Sequence, residues 1–309
     1  MQLRVIVLVS MSLALAASSC TPATRQSTSA TTTSTAAPPA NADVRQDVRP
    51  MDHTPTHRGQ MLATLTWMEA ERILTPDTIV VIPLGAGSKE HGPHLKLEND
   101  AILAEYFTRR VLADADVVIT PLVNTHFYPA FVEYPGSISL GFETARALIA
   151  DICRGLARFG PRRFYVLNTG VSTMRPLAAS AEDLAREGIL LHYTNLLEAI
   201  GPVEKAVARQ PGGTHADEIE TSMMLYIDPA SVDMSKAVKD YQPHRPGGLT
   251  RDPGGTGVYS PTGIWGDPTL ATREKGERVA EALVVALLRD IDELRTALLP
   301  TPTSTGQPP

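Results

Sequence analysis

An unbroken apolar run at residues 79–84, Ile-Val-Val-Ile-Pro-Leu, places the strongest constraint on what this chain can fold into. The run is too short for a buried helix and lacks the apolar-polar alternation of a strand with one wet face. A strand buried on both sides needs cover above and below, which is the setting of a parallel sheet in a layered fold. Residues 117–120 and 164–168 are similar short apolar runs and read as further buried strands. Between and after them, residues 100–113, 145–158 and 180–186 carry apolar side chains at helical spacing. Residues 272–298 form a long amphipathic pattern rich in Glu, Lys and Arg. Strands alternating with helices predict an α/β fold with a mostly parallel sheet, whose ligand sites gather where strands end in loops.

The two ends of the chain do not read as part of that fold. Arg4 is the only charge ahead of an apolar run from Val5 to Ala17, too short to span a bilayer and suited to a signal peptide over residues 1–20. The run closes in Ala17-Ser18-Ser19-Cys20, which resembles a bacterial lipobox in which Cys20 becomes a lipid-bearing N-terminus. The plainer alternative is an ordinary secretory signal with an incidental cysteine. Residues 21–58 are dominated by Thr, Ser, Pro and Ala and cannot bury enough surface to offset their own ordering entropy. They read as a tether that holds a domain at residues 59–299 off a membrane surface. Residues 300–309 read as a disordered tail. The expectation is an exported protein, periplasmic or in the cell envelope, whose membrane contact is confined to a lipid on Cys20. With Cys20 so used, Cys153 is left without an intrachain partner. A net charge of −6 without a long basic run excludes the electrostatic footprint of nucleic-acid binding.

Two clusters carry chemistry. After the first strand come Gly85-Ala86-Gly87-Ser88-Lys89-Glu90-His91-Gly92-Pro93-His94-Leu95 and then Asp100 at a helix start. Imidazole and carboxylate on a glycine-rich turn suit a borderline or hard divalent ion such as zinc, manganese or iron. A lone histidine there would read as a hydrogen-bonded structural residue, but His91 and His94 stand with Glu90 and Asp100 inside an eleven-residue stretch. The second cluster is His215-Ala216-Asp217-Glu218-Ile219-Glu220-Thr221-Ser222. Acids opening a helix are favoured by its dipole, which accounts for Asp217 and Glu218 better than for Glu220 on a half-buried face.

Together these stretches resemble the first and third motifs of the creatininase (creatinine amidohydrolase) family. Tyr134-Pro135-Gly136-Ser137 is similar to its aromatic-Pro-Gly-Thr turn, and Gly257-Val258-Tyr259 with Gly266-Asp267-Pro268 to its late segment. The resemblance implies a three-layer αβα sandwich, often assembled as a homo-oligomeric hexamer. It also implies that metal-activated water attacks a C–N bond of a small amide, cyclic amide or N-formyl compound.

The chain departs from that pattern at two places. Lys89 stands where the resemblance expects a metal-binding Glu, with Glu90 displaced by one residue as a compensating candidate. Residues 168–173, Asn-Thr-Gly-Val-Ser-Thr, stand for a loop in which Gly170 replaces an expected metal-binding His. His91, Asp100 and Glu220 then remain as one ligand set, which implies a single ion per chain, or else a pair of ions in which one weak position is completed by Glu90 and water. His215 is the expected general acid or base, the plainer reading being a hydrogen-bonding residue behind the ligands. His94 is a candidate for orienting His91 or lining the pocket, and Ser172 and Arg175 for binding the substrate or for capping their loop. The alternative is a catalytically lapsed relative that binds a small ligand or serves an assembly role.

Overall fold

The computed structural model describes residues 58–243 and 245–303. The expected signal peptide, lipobox and nearly all of the tether lie outside the described residues, as do residues 304–309 of the expected tail.

In chain order the main elements are β1 (Gln60–Met61), α1 (Trp67–Ile73), β2 (Ile79–Leu84), α2 (Asn99–Asp114), β3 (Val118–Ile119), α3 (Phe142–Ala157) and β4 (Arg163–Asn168). They continue with α4 (Met174–Ala185), β5 (Leu190–Tyr193), α5 (Leu196–Val207), α6 (Glu218–Ile227), β6 (Leu249–Thr250), β7 (Val258–Tyr259) and α7 (Arg273–Thr296). Five strands form one parallel sheet in the order β1-β3-β2-β4-β5, and β6 pairs with β7 apart from it.

β2 explains the layering. Its side chains alternate between two cores, with Ile79 and Val81 on one face and Val80, Ile82 and Leu84 on the other. The first face is covered by Leu103 and Phe107 of α2, Met223 of α6 and Val279 of α7. The second is covered by Ile149 and Cys153 of α3 and Leu177 of α4. Each fully buried aliphatic side chain contributes about 1.5–3 kcal/mol, so the two faces need each other's helices. The architecture is the three-layer αβα sandwich with a parallel sheet. Pro83 fits a central strand because β3 has already ended beside it, where the Pro83 carbonyl accepts from Val123 N at 2.9 Å.

Some elements differ from the sequence expectation. α4 starts six residues earlier than the 180–186 pattern, with Pro176 in its first turn, where a missing N–H is harmless. The tail does not leave the domain at residue 300, since Thr303 N donates to the Arg186 carbonyl at 3.1 Å. Among the described residues no helix is long and apolar enough to cross a membrane.

Candidate metal centre

Two helix starts and one loop converge beyond the carboxyl end of β2. Gly85 leaves the strand so close to α2 that a Cβ there would lie 2.3 Å from the Asp100 carbonyl oxygen, which is why the loop turns under Asp100. Asp217 caps α6, with Oδ1 accepting from Ile219 N and Glu220 N, both at 2.9 Å. Ala216, just before the cap, has φ +48°, an uncommon conformation for a residue with a side chain. Its N–H donates to Glu220 Oε2 at 2.7 Å, so His215 and Glu220 are presented to the same space.

His91 sits at the centre, fully buried. Its Nδ1 lies 2.8 Å from the Lys89 carbonyl, which can only accept, so Nδ1 carries the hydrogen. Its Nε2 faces Asp100 Oδ1 at 2.8 Å and Glu220 Oε1 at 3.3 Å. Two carboxylate oxygens can only accept as well, so Nε2 must hold a proton or share a cation with them. A histidine fixed through one nitrogen, with the other aimed at carboxylates, is how metal-ligating imidazoles are held. Burial and the Lys89 ammonium oppose protonation of His91, but Asp100 and Glu220 outweigh them and raise its pKa to about 9. Burial acts to raise both carboxyls, yet Asp100 is held below its usual range by Lys89 and His91, and Glu220 by His91, His215 and Lys89. The residues therefore fit a divalent ion, which would take the place of the proton on Nε2.

His215 joins the same space. One ligand atom each of His91, His215 and Glu220 lie within 4.8 Å of one another. His215 Nε2 is 3.0 Å from the Glu90 carbonyl and 3.1 Å from Glu90 Oε2, so this nitrogen donates. Nδ1 is left bare, 3.8 Å from Glu220 Oε2, free to ligate or to take a proton. The mixed nitrogen and oxygen set suits zinc, manganese or iron and contains no thiolate.

The other candidates are distributed around this cluster. Glu90 departs from the ligand role, because its carboxylate is occupied by His215 and by Gly92 N and does not turn toward His91. His94 is buried, and that burial pushes its pKa down to about 4. Its Nε2 is 2.8 Å from Thr221 Oγ1, and it stands behind the cluster rather than on the cavity wall. Ser172 lines the cavity. Arg175 does not, because its guanidinium is stacked about the Phe127 and Phe142 rings, 6.0 and 5.8 Å from their centroids.

Sequence reasoning missed three participants. Lys89 is buried, with Nζ 2.8 Å from Asp100 Oδ2 and 4.7 Å from the centroid of the Phe131 ring. Burial acts to discharge it, but Asp100, Glu220 and Glu90 outweigh that and keep it an ammonium. Asn99 donates through Nδ2 to Glu220 Oε1 at 2.9 Å and steadies that carboxylate. Tyr128 is buried with no partner for its hydroxyl, and its burial beside Asp100 raises its pKa well above 10. Adjacency of Asn99 to Asp100 was the one available signal. Nothing in a single sequence marks a loop tyrosine or the direction of a lysine.

A cavity of about 310 Å³ opens onto Lys89, His215 and Glu220 on one side and onto Thr169 and Ser172 on another.

The creatininase family model, described as creatinine amidohydrolase, matches residues 63–291. The mycofactocin precursor peptide peptidase of Mycobacterium tuberculosis is 29% identical over 225 residues, 69% of this chain and 84% of the relative. The creatinine amidohydrolase of Pseudomonas putida is 27% identical over 266 residues, 77% of this chain and 96% of its own. A solved structure of creatinine amidohydrolase superposes with a TM-score of 0.63 at 24% identity, over 77% of this chain and 98% of that one, and shares the fold.

Proposed function

The chain belongs to the creatininase family, and we propose that it is a metal-dependent amidohydrolase cleaving a C–N bond of a small amide, cyclic amide or N-formyl compound. The observation that carries this reading is His91, locked through Nδ1 with Nε2 aimed at two buried carboxylates beside the bare Nδ1 of His215. The relatives support it by their names, which include a creatinine amidohydrolase, a peptide peptidase and, in Thermotoga maritima, a 3-dehydro-scyllo-inosose hydrolase.

His91, Asp100 and Glu220 would hold the ion, with His215 adjacent. When bound, a divalent ion supplies Lewis acidity toward a carbonyl oxygen and toward water. Zinc is the first candidate, with manganese or iron next, and a manganese creatininase and a creatininase of Zn-Zn type stand among the fold neighbours. His215 then moves the proton. Its Nδ1 takes it from the attacking water and returns it to the departing nitrogen, while Glu90 holds the Nε2–H and so keeps the ring in the useful tautomer. Charge supports one ion per chain. Asp100, Glu220 and Glu90 bring three negative charges and Lys89 one positive, so one divalent ion neutralises the cluster and a second would leave it at +2 in a buried setting.

Export, a lipid on Cys20 and assembly as a homo-oligomer belong to the same proposal and rest on the sequence and the family. Metal analysis of the purified full chain, followed by an amide panel with and without chelator, tests the catalytic reading. One ion per chain, and turnover abolished by chelation and by His215→Ala, is the expected result. Two tightly held ions would overturn the single-ion assignment. No bound ion, or turnover indifferent to both treatments, would overturn the enzyme reading.

A further inference from the structure

We infer that the substrate carries a bulky uncharged apolar group, aliphatic or aromatic, which enters a chamber running from the ligand cluster between α2, α5, α6 and α7. This rests on the hydrolase reading above and names the substrate class of that site.

The chamber follows from helix geometry. Residues three and seven positions beyond a helical residue share its face. Leu103 and Phe107 stand at those steps from Asp100 on α2, and Met223 stands three beyond Glu220 on α6. The ligand faces of both helices therefore continue directly into apolar wall. Leu196 and Ile200 of α5 and Leu283 of α7 close the opposite side. All six line the same cavity as Lys89, His215 and Glu220, and that cavity measures about 310 Å³. An apolar cavity of about 150 Å³ already takes a benzene ring and stays dry. An apolar group entering such walls gains the full transfer free energy, while a charged or strongly hydrated one loses its water without replacement. Glu204 lines the same cavity and disfavours an anionic tail there.

A second observation concerns the polar part of the same ligand. Tyr128 lines this cavity, and its hydroxyl is buried with no hydrogen-bond partner. A buried donor without an acceptor is unfavourable, and a ligand bound in the cavity beside this ring can supply one. A carbonyl oxygen between Tyr128 and the ligand cluster, with the apolar group beyond it, satisfies both the hydroxyl and the chamber.

The test uses two homologous series on the full chain. Straight-chain hydroxamic acids from acetyl to octanoyl are titrated calorimetrically into zinc-loaded protein, and the matching primary amides are read by thermal shift on metal-free protein. The expected result is affinity rising roughly fourfold per added methylene until the chamber is full, on the order of a hundredfold from acetyl to hexanoyl. Ile200→Trp, and Leu196→Trp at the less buried neighbouring position, should erase the chain-length gain while leaving acetohydroxamate affinity within about threefold. Affinity independent of chain length in both series overturns the inference and leaves the hydrolase reading intact. Zinc-loaded protein that fails to bind acetohydroxamate, with the amides still showing the chain-length gain, overturns the metal reading and leaves the chamber assigned.

Discussion

Raising the pH of the metal-free protein from 6.5 to 9 should destabilise it, because His91 is buried with its pKa raised from 6.5 to about 9. Below pH 6.5 folded and unfolded chains both hold the proton, and the full stabilisation is present. As pH rises toward 9 the unfolded chain has lost that proton while the folded one still keeps it against Asp100 and Glu220, so stability drains away across this window. The span of 9 − 6.5 corresponds to about 3 kcal/mol at 1.36 kcal/mol per unit. At roughly 2–4 °C per kcal/mol for a domain of this size, the melting temperature should fall by about 6–12 °C. Zinc should remove most of that fall, since an ion on Nε2 replaces the proton, and zinc affinity should rise roughly tenfold per pH unit over the same range. Circular-dichroism melts at half-unit steps, in chelator and with saturating zinc, measure both effects, with His91→Gln as the control that should lack the slope. A metal-free melting temperature that is flat or rising between pH 6.5 and 9 would refute the reasoning.

Lys89→Met should lower metal-free stability by about 3–5 kcal/mol, because it leaves the Asp100 carboxylate buried without the ammonium 2.8 Å away. Zinc should recover part of the loss, and an unchanged urea midpoint in chelator would show that the pair contributes no net stability. Gly276→Ala should cost about 1–3 kcal/mol or more, since a Cβ there would lie 1.8 Å from the Ser222 carbonyl where α7 crosses α6. Urea melts read this too, and a variant as stable as the parent would mean that the two helices separate without penalty.

How much of this was legible in the sequence depended on whether the signal was local. β2 and β4 read clearly because both of their faces are buried, which leaves an apolar run with no alternation to confuse it. β1 and β3 are two residues each, below the length at which periodicity exists, and β5 carries the exposed His192 on the sheet edge. α5 contains Gly201 and Pro202, both breakers by propensity, and is held as a helix by tertiary burial of Ile200 and Val207. In the site, His91, Asp100, His215 and Glu220 stood out as two clusters of histidine and acid and through their resemblance to the creatininase motifs. The direction of Glu90 was not legible. It depends on where His215 arrives from 125 residues away, a contact that no local pattern encodes.

Lys89 and the 168–173 loop are best understood as one change rather than two. Asn168 closes that loop on itself, its Oδ1 accepting from Gly170 N at 3.1 Å and Thr173 Oγ1 at 2.6 Å while its Nδ2 donates to the Gly170 carbonyl at 2.7 Å. Gly170 has no side chain to offer, and Thr169 spends its hydroxyl on the Leu84 and Asp100 carbonyls. The loop thus braces the end of β2 and the start of α2 without the imidazole that the family pattern expects at position 170. An ion on the Oδ2 side of Asp100 would then lack that ligand, and Oδ2 would be an uncompensated buried oxygen. The ammonium of Lys89 meets it with a single fixed charge that needs no further ligand, leaving Oδ1 with His91 and Glu220 to define the position an ion would take.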